Sequence, residues 1–461
     1  MFKRMTSALV CALLLLTSLA QGAQRKAAAP GEKGASRITF QDVRLKNGMR
    51  LILAEDHSAP VYSISVVYNV GARNEVAGRT GFAHLFEHMM FQGSANVGKN
   101  EHSVLIKENG GSDNGTTDSD RTLYFETMPS NQLDLGMFLE ADRMRALAVT
   151  QQNVDNQRNA VQEERRLRVD NQPYGTSFEA IDDTVFDSFP YKHSVIGSMA
   201  DLNAATIDDV KEFFRVYYAP NNACVAIVGD FDSKVALEKA RKYFEVIPRQ
   251  PNPPAVVVKE DKQTAERRRT IEDAFAPLPR LFVLYKTVAD NTPDSYALDM
   301  LMGVLTTGQS SRLYQKLVKE QQSAAQIGGG QQGQREVGMA QIVVAPRPGK
   351  SLDDIEKSIY EEIDKLKKEP PTEAEMAKMR TILRYREAQQ LQTSLNRSIL
   401  LAQDAVFFND PNLINTELGK YAAVTRQDVL RVANQYFDAS NRSVITTLPK
   451  RKPAVGGPAG Q

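Results

Sequence analysis

ATIDDVKEFFRVYYAPNNACVAIVGD (residues 205–230) and VTRQDVLRVANQYFDASNRSVITTLP (residues 424–449) align without a gap at a constant offset of 219. Thr206, Asp209, Val210, Tyr217, Asn222 and Val225 fall on Thr425, Asp428, Val429, Tyr436, Asn441 and Val444. Each copy reads as one unit, in which a threonine caps a helix, a turn follows, and a β-branched run makes a strand. Duplication of such a unit predicts two domains of similar α+β fold, as does a length of 461 residues, too great for one ordinary core.

Between the copies, IPRQPNPPAVVVKEDKQTAERRRT (247–270) carries four prolines and then a charge run, and reads as the interdomain linker. The domains then span 38–246 and 271–449. In the first, RLKNGMRLILAED (44–56) sets Asn47-Gly48 between alternating apolar stretches, the chemistry of a tight hairpin, and VYSISVVYNV (61–70) reads as the next strand.

The chain begins with Lys3 and Arg4, an apolar run from Ala8 to Ala20, and Gln21-Gly22-Ala23. This pattern predicts a secretory signal over 1–22, too short to span a bilayer, and an exported, periplasmic protein. Cys11 lies inside the run behind bulky Val10, which speaks against a lipoprotein. The stretch 23–37 reads as a flexible mature N-terminus and 450–461 as a disordered tail. Without Lys3 and Arg4, the mature chain has 55 basic against 56 acidic residues, which argues against nucleic acid or an anionic surface as partner. Cys224 would be left alone, so no internal disulfide is expected.

Function concentrates in GFAHLFEHMMFQGS (81–94). On a helix, His84, Glu87 and His88 share a sector of about 100 degrees. Two imidazoles at i and i+4 can grip one metal, with the glutamate beside them reaching a water, in the inverted order His-x-x-Glu-His. A catalytic zinc also needs a third ligand and an open position. Phe82, Leu85, Phe86, Met89 and Met90 make the helix heavily apolar, so the polar trio faces an interior or cleft, where a glutamate without a metal would be costly. His57, His102 and His193 lie in polar turns and loops and read as structural or solvated. YALDMLMGVLTTGQSSRLYQKL (296–317) takes the motif's place in the second half and contains no histidine.

With this motif inside GRTGFAHLFEHMMFQGS, LKNGMRLIL before it, and NGGSDNGTTDSDRTLYFE and NQRNAVQEERRLRVDNQPYG after it, the chain resembles a known family. That family is the pitrilysin, insulinase and mitochondrial processing peptidase family of zinc metallopeptidases, and the resemblance covers nearly all of the mature chain. It implies two homologous metallohydrolase-like domains, each a mixed or antiparallel sheet covered by helices, arranged as a clamshell. It implies one zinc ion per chain and a third ligand on another helix. Glu164, with 75 residues between it and His88, matches that place, and its neighbour Glu163 is the competitor, read as a solvated helix charge. Glu87 would act as general base in hydrolysing unstructured peptides. By the same resemblance Asn114 would bind the substrate backbone along a sheet edge; its other reading is an Asn-Gly turn residue.

Two departures stand out. Gln157 occupies the place of a glutamate that many members carry seven residues before the third ligand, so tuning of that ligand by its neighbour differs. Second-half positions that often supply an arginine and a tyrosine to substrate hold Val318 or Lys319 and Ala325. The resemblance therefore implies the metal-bearing member of a heterodimer whose related chain supplies those groups, with a homodimer second. The rivals are a catalytically inactive scaffold subunit and a different metallohydrolase on the same fold.

Overall fold

A computed structural model describes residues 37–450. The expected signal peptide, Cys11, the N-terminal stretch up to residue 36 and the tail beyond Lys450 lie outside the described residues. Two sheets organise the rest. The first comprises β1 (Gln41–Arg44), β2 (Arg50–Glu55), β3 (Val61–Tyr68), β4 (Ser112–Thr117), β5 (Thr122–Pro129) and β6 (Ala223–Gly229) in the order β1-β2-β6-β3-β5-β4. The second comprises β7 (Arg267–Asp273), β8 (Arg280–Thr287), β9 (Ala324–Gly333), β10 (Gly338–Pro346) and β11 (Arg442–Pro449) in the order β7-β11-β8-β10-β9. Apart from the added β1, the orders correspond strand for strand. Each sheet has one parallel pair at the same place, β2 with β6 and β7 with β11.

The repeated sequence makes the same local structure twice. Thr206 and Asp209 form a reciprocal cap on the helix Ile207–Tyr217, as Thr425 and Asp428 do on Arg426–Tyr436. Asn222 Nδ2 then donates to the Tyr217 carbonyl at 2.8 Å, and Asn441 Nδ2 to the Tyr436 carbonyl at 2.7 Å. Each amide fixes the turn that leads into a central strand. Asn47-Gly48 forms the β1–β2 turn, with Gly48 at a φ of 93°.

The helices that share a core with one face of the first sheet include α1 (Phe82–Met89), α2 (Glu101–Glu108), α3 (Leu133–Arg145) and α4 (Gln151–Arg165). The other face presents Ile52, Ala54, Val67, Ala226 and Val228, and it is covered by Leu401, Ala402 and Ala405 of the second-half helix Ser394–Phe407. In return, α5 (Gly175–Val185) of the first half sets Ala180, Ile181 and Val185 against Phe282, Leu284 and Ile445 of the second sheet. Hydroxyl pairs tie both exchanges, Ser65 with Ser398 and Ser177 with Thr447, each at 2.7 Å. From Ile38 to Lys450 the chain is accordingly one compact unit, although it holds two sheets.

One boundary needs correction. The last residues of the expected linker, Arg267 to Thr270, are strand and pair with Ser443 to Thr446 of β11. Strand β7 is a sheet edge, where charged side chains reach water and discourage further pairing. Arg268 meets Glu266 and Glu356, and Arg269 meets Asp183 at 2.9 Å. The charge run therefore belongs to a protected edge. Among the described residues no helix is long and apolar enough to cross a membrane.

Candidate metal centre

Helix α1 begins at Gly81, whose φ of 87° suits glycine and whose Cβ, if present, would lie 2.7 Å from the Ile196 carbonyl. The first turn's free N–H groups are met from outside the helix. Glu75 Oε2 accepts from Gly81 N at 2.9 Å and Oε1 from Ala83 N at 2.8 Å, while His193 Nε2 lies 3.0 Å from Oε2. Leu85, Phe86 and Met89 are fully buried in the core. That packing leaves His84 buried at the flank and Glu87 and His88 half-buried.

Helix α4, capped by Thr150, delivers Glu164 at its C-terminal end, where the chain passes into a π-helical turn over Arg166–Asp170. Glu164 Oε2 stands 3.7 Å from His84 Nε2 and 3.2 Å from His88 Nε2. These donor atoms all lie within 4.8 Å of one another. Glu163 points to the surface and pairs with Arg166 at 3.0 Å. Arg168 holds the outer oxygen of Glu164 at 2.7 Å.

Glu87 faces the edge of the first sheet. Thr117 Oγ1 on β4 donates to its Oε2 at 2.7 Å. Gly115 makes the approach possible, since a Cβ there would sit 3.0 Å from Glu87 Cγ. A cavity of about 600 Å³ joins these groups, lined by the three convergent side chains with Glu87, Asn114, Thr116 and Arg168 among others. Burial, then the neighbouring His88, pull His84 down to about 4, so its imidazole is neutral, the form that binds metal. Burial raises Glu87 above the usual carboxylate range, against the Thr117 hydrogen bond.

Asn114 is exposed on the edge strand β4 and is not a turn residue; its side-chain oxygen accepts from Gly115 N at 2.9 Å. Gln157 is half-buried two turns before Glu164 and does not line the cavity. Val318 packs on the second core, while Lys319 and Ala325 are exposed, and none of the three reaches the cavity. His57 is exposed beside Asp230 at 2.7 Å. Sequence reasoning missed Glu75, Thr117 and Arg168. Only Arg168 had a legible signal, four residues after Glu164 and so on the same side of a helix.

Comparison with known proteins bears on this geometry. The family model "Insulinase (Peptidase family M16)" matches residues 50–198, which contain all the convergent residues, and "Peptidase M16 inactive domain" matches 204–383. Zinc protease PqqE of Helicobacter pylori is 30% identical over 412 residues, 89% of this chain and 93% of that protein. The chain belongs to peptidase family M16. An uncharacterized zinc protease of Streptomyces coelicolor, SCO5738, is 23% identical over 87% of this chain and 88% of its own length. The crystal structure of a protease from Helicobacter pylori superposes on the M16 chain with a TM-score of 0.85 at 30% identity, covering 90% of this chain and all of that one. The first half of the periplasmic protease PqqL from Escherichia coli shares the fold, with a TM-score of 0.73 at 18% identity, over 89% of this chain and 92% of that one.

Proposed function

We propose that this M16 chain is a zinc-dependent endopeptidase that hydrolyses unstructured peptides. The observation that carries the proposal is the convergence of His84 Nε2, His88 Nε2 and Glu164 Oε2 beside Glu87 in one cavity. Two imidazoles and a carboxylate are a zinc donor set, and their separations of 3.2 and 3.7 Å bracket the roughly 3.4 Å edge of a tetrahedron with bonds of about 2.1 Å. His84, His88 and Glu164 would hold the ion, with Arg168 orienting Glu164 from its far oxygen. When bound, zinc supplies Lewis acidity toward a peptide carbonyl and lowers the pKa of water.

The protein's own groups do the rest. Glu87, raised by burial and held by Thr117, takes a proton from water and returns it to the leaving amine. The free edge of β4, with Asn114 at its centre, offers main-chain hydrogen bonds to an extended substrate, which a folded protein cannot supply. Export to the periplasm is supported by the apolar run before Gly22 and by the likeness to PqqL, itself a periplasmic protease.

The chain acts as the metal-bearing member of a pair, in which a related chain brings the arginine and tyrosine that Val318, Lys319 and Ala325 do not provide. Glu87→Gln tests the enzyme against an inactive scaffold. Zinc content should stay at the wild-type level while cleavage of a quenched unstructured peptide falls roughly 10²–10⁴-fold. Equal cleavage by the variant refutes the assignment of Glu87. A monodisperse monomer with full activity refutes the pairing alone.

A further inference from the structure

A second group of ligand-type side chains lies behind the catalytic helix. His102 on α2, Glu126 on β5 and Glu140 on α3 come from three elements, and their ligand atoms lie within 4.8 Å of one another. All three are buried, at 3%, 0% and 0% exposure. His102 Nε2 and both carboxylate oxygens of Glu126 have no hydrogen-bond partner. Buried polar atoms are nearly always partnered, so three orphans in one place call for an occupant.

The spacing says what kind. His102 Nε2 is 3.7 Å from Glu126 Oε2 and 4.0 Å from Glu140 Oε1. These gaps are too long for hydrogen bonds and close to the separations of 3.2 and 3.7 Å in the first centre. Glu140 is oriented by Arg143, whose Nε donates to it at 3.0 Å, as Arg168 orients Glu164. The guanidinium of Arg143 spreads its charge over the rings of Tyr124 and Phe91, at 4.6 and 5.4 Å. Room for Glu126 comes from Gly136 in the middle of α3, where a Cβ would lie 2.6 Å from Glu126 Oε1. A proton shared between Glu126 and Glu140 would neutralise the cluster's excess negative charge, yet it would leave His102 Nε2 unpartnered. A cation between the three residues gives His102 Nε2 and one oxygen of each carboxylate a partner.

We propose that His102, Glu126 and Glu140 form a second, structural site for a divalent transition cation such as zinc or manganese. It ties α2, β5 and α3 together behind α1. The tie reaches the catalytic helix through Tyr124, whose hydroxyl donates to the Phe86 carbonyl at 3.1 Å. No part of this site needs the first centre to be occupied.

The test is metal counting by mass spectrometry on full-length protein isolated from cells grown with zinc chloride, and separately with manganese chloride. Wild type should carry two equivalents. The double variant His84→Ala/His88→Ala disables the first centre without touching the buried cluster, and should still carry one. Adding Glu126→Gln to that pair should bring the count to zero. A folded double variant with no metal from either medium overturns the proposal and assigns the neutralising charge to a proton shared between Glu126 and Glu140. Metal that persists in the triple variant overturns it as well, since the ion then sits elsewhere. The decisive count comes from the double variant, so a failure of the Glu126 variant to fold leaves the test intact.

Discussion

Glu75→Gln removes one charge and almost no volume from the support of helix α1. The carboxylate is fully buried and accepts from Gly81 N at 2.9 Å, Ala83 N at 2.8 Å and, through one oxygen, His193 Nε2 at 3.0 Å. Hydrogen bonds to a charged group contribute about 1.5–3 kcal/mol each. The amide keeps one acceptor, turns an NH₂ against a backbone N–H, and deprives His193 of its counter-charge. Loss of one such bond and of the imidazole contact amounts to about 3 kcal/mol, at the low end of what breaking a buried pair costs. Equilibrium unfolding in urea with a chelator present, so that metal binding does not add its own linkage, should show that loss at pH 6. The pH dependence supplies a second signature. Burial lowers His193, but the contact with Glu75 outweighs it and the net shift is upward; burial raises Glu75 itself. The folded state therefore binds more protons than the unfolded chain, and the stabilisation is lost as pH rises through the elevated value of His193, above the ordinary 6.5. Glu75→Gln should flatten that decline. A variant within about 1 kcal/mol of wild type at pH 6, with an unchanged pH slope, refutes the capping role assigned to Glu75.

Three further outcomes follow from the same geometry. Gly115→Val places a branched side chain against Glu87, Tyr124 and Phe91, with the new Cβ 3.0 Å from Glu87 Cγ; peptide cleavage should fall at least about 10²-fold while zinc content is kept, since a misplacement of about 1 Å has that cost. His88→Ala removes one of the three proposed zinc ligands and should abolish stoichiometric zinc at that site, read by equilibrium dialysis, with little change in far-UV circular dichroism because His88 is half-buried. Asp404 is pushed up to about 8, by burial first and then by Glu417 and Asp290. A raised carboxyl stabilises the fold below its unfolded value near 3.8 and that contribution is lost as pH rises toward 8, by up to about 1.4 kcal/mol per pH unit. Asp404→Asn should reduce the fall in urea stability between pH 5 and pH 8, and an unchanged fall contradicts the shift.

Features carried by neighbours in sequence were the legible ones. The capped helix, asparagine turn and strand of residues 205–230 and 424–449 depend on contacts within a dozen positions, so their duplication could be read directly. His84, Glu87 and His88 were legible for the same reason, since one helix turn joins them. Glu164 was reached only through family resemblance, because its distance from His88 is set by the packing of α4 on α1. The helix exchange left no signal at all. Periodicity marks the apolar face of Ser394–Phe407 without saying that the opposite half's sheet will cover it. Arg267 to Arg269 misled in the other direction, since charge alone does not separate a linker from an edge strand whose side chains reach water. Glu75 caps α1 from an irregular segment that matches no local capping pattern.

The two lobes share a strand order, yet only the first brings together a group like His84, His88 and Glu164, and packing explains the asymmetry beyond the missing histidines. The helix Pro293–Thr306 follows β8 as α1 follows β3, but its residues from Ser295 to Thr306 are buried at every position except Asp299. A Cβ on Gly303 in that helix would lie against the Met379 side chain, so even its smallest face is closed by a neighbour. A catalytic metal needs a flank that is shielded on one side and open to substrate on the other. Helix α1 keeps such a flank because Gly115 has no side chain to fill the space beside Glu87, and because Glu164 comes from the last turn of α4, before the chain passes into the π-helical turn over Arg166–Asp170. Restoring histidines to the second helix would therefore create buried imidazoles without access. The duplicated lobe contributes by packing a core of its own on the second sheet and by lending the helix Ser394–Phe407 to the face of the first sheet opposite α1 and α4.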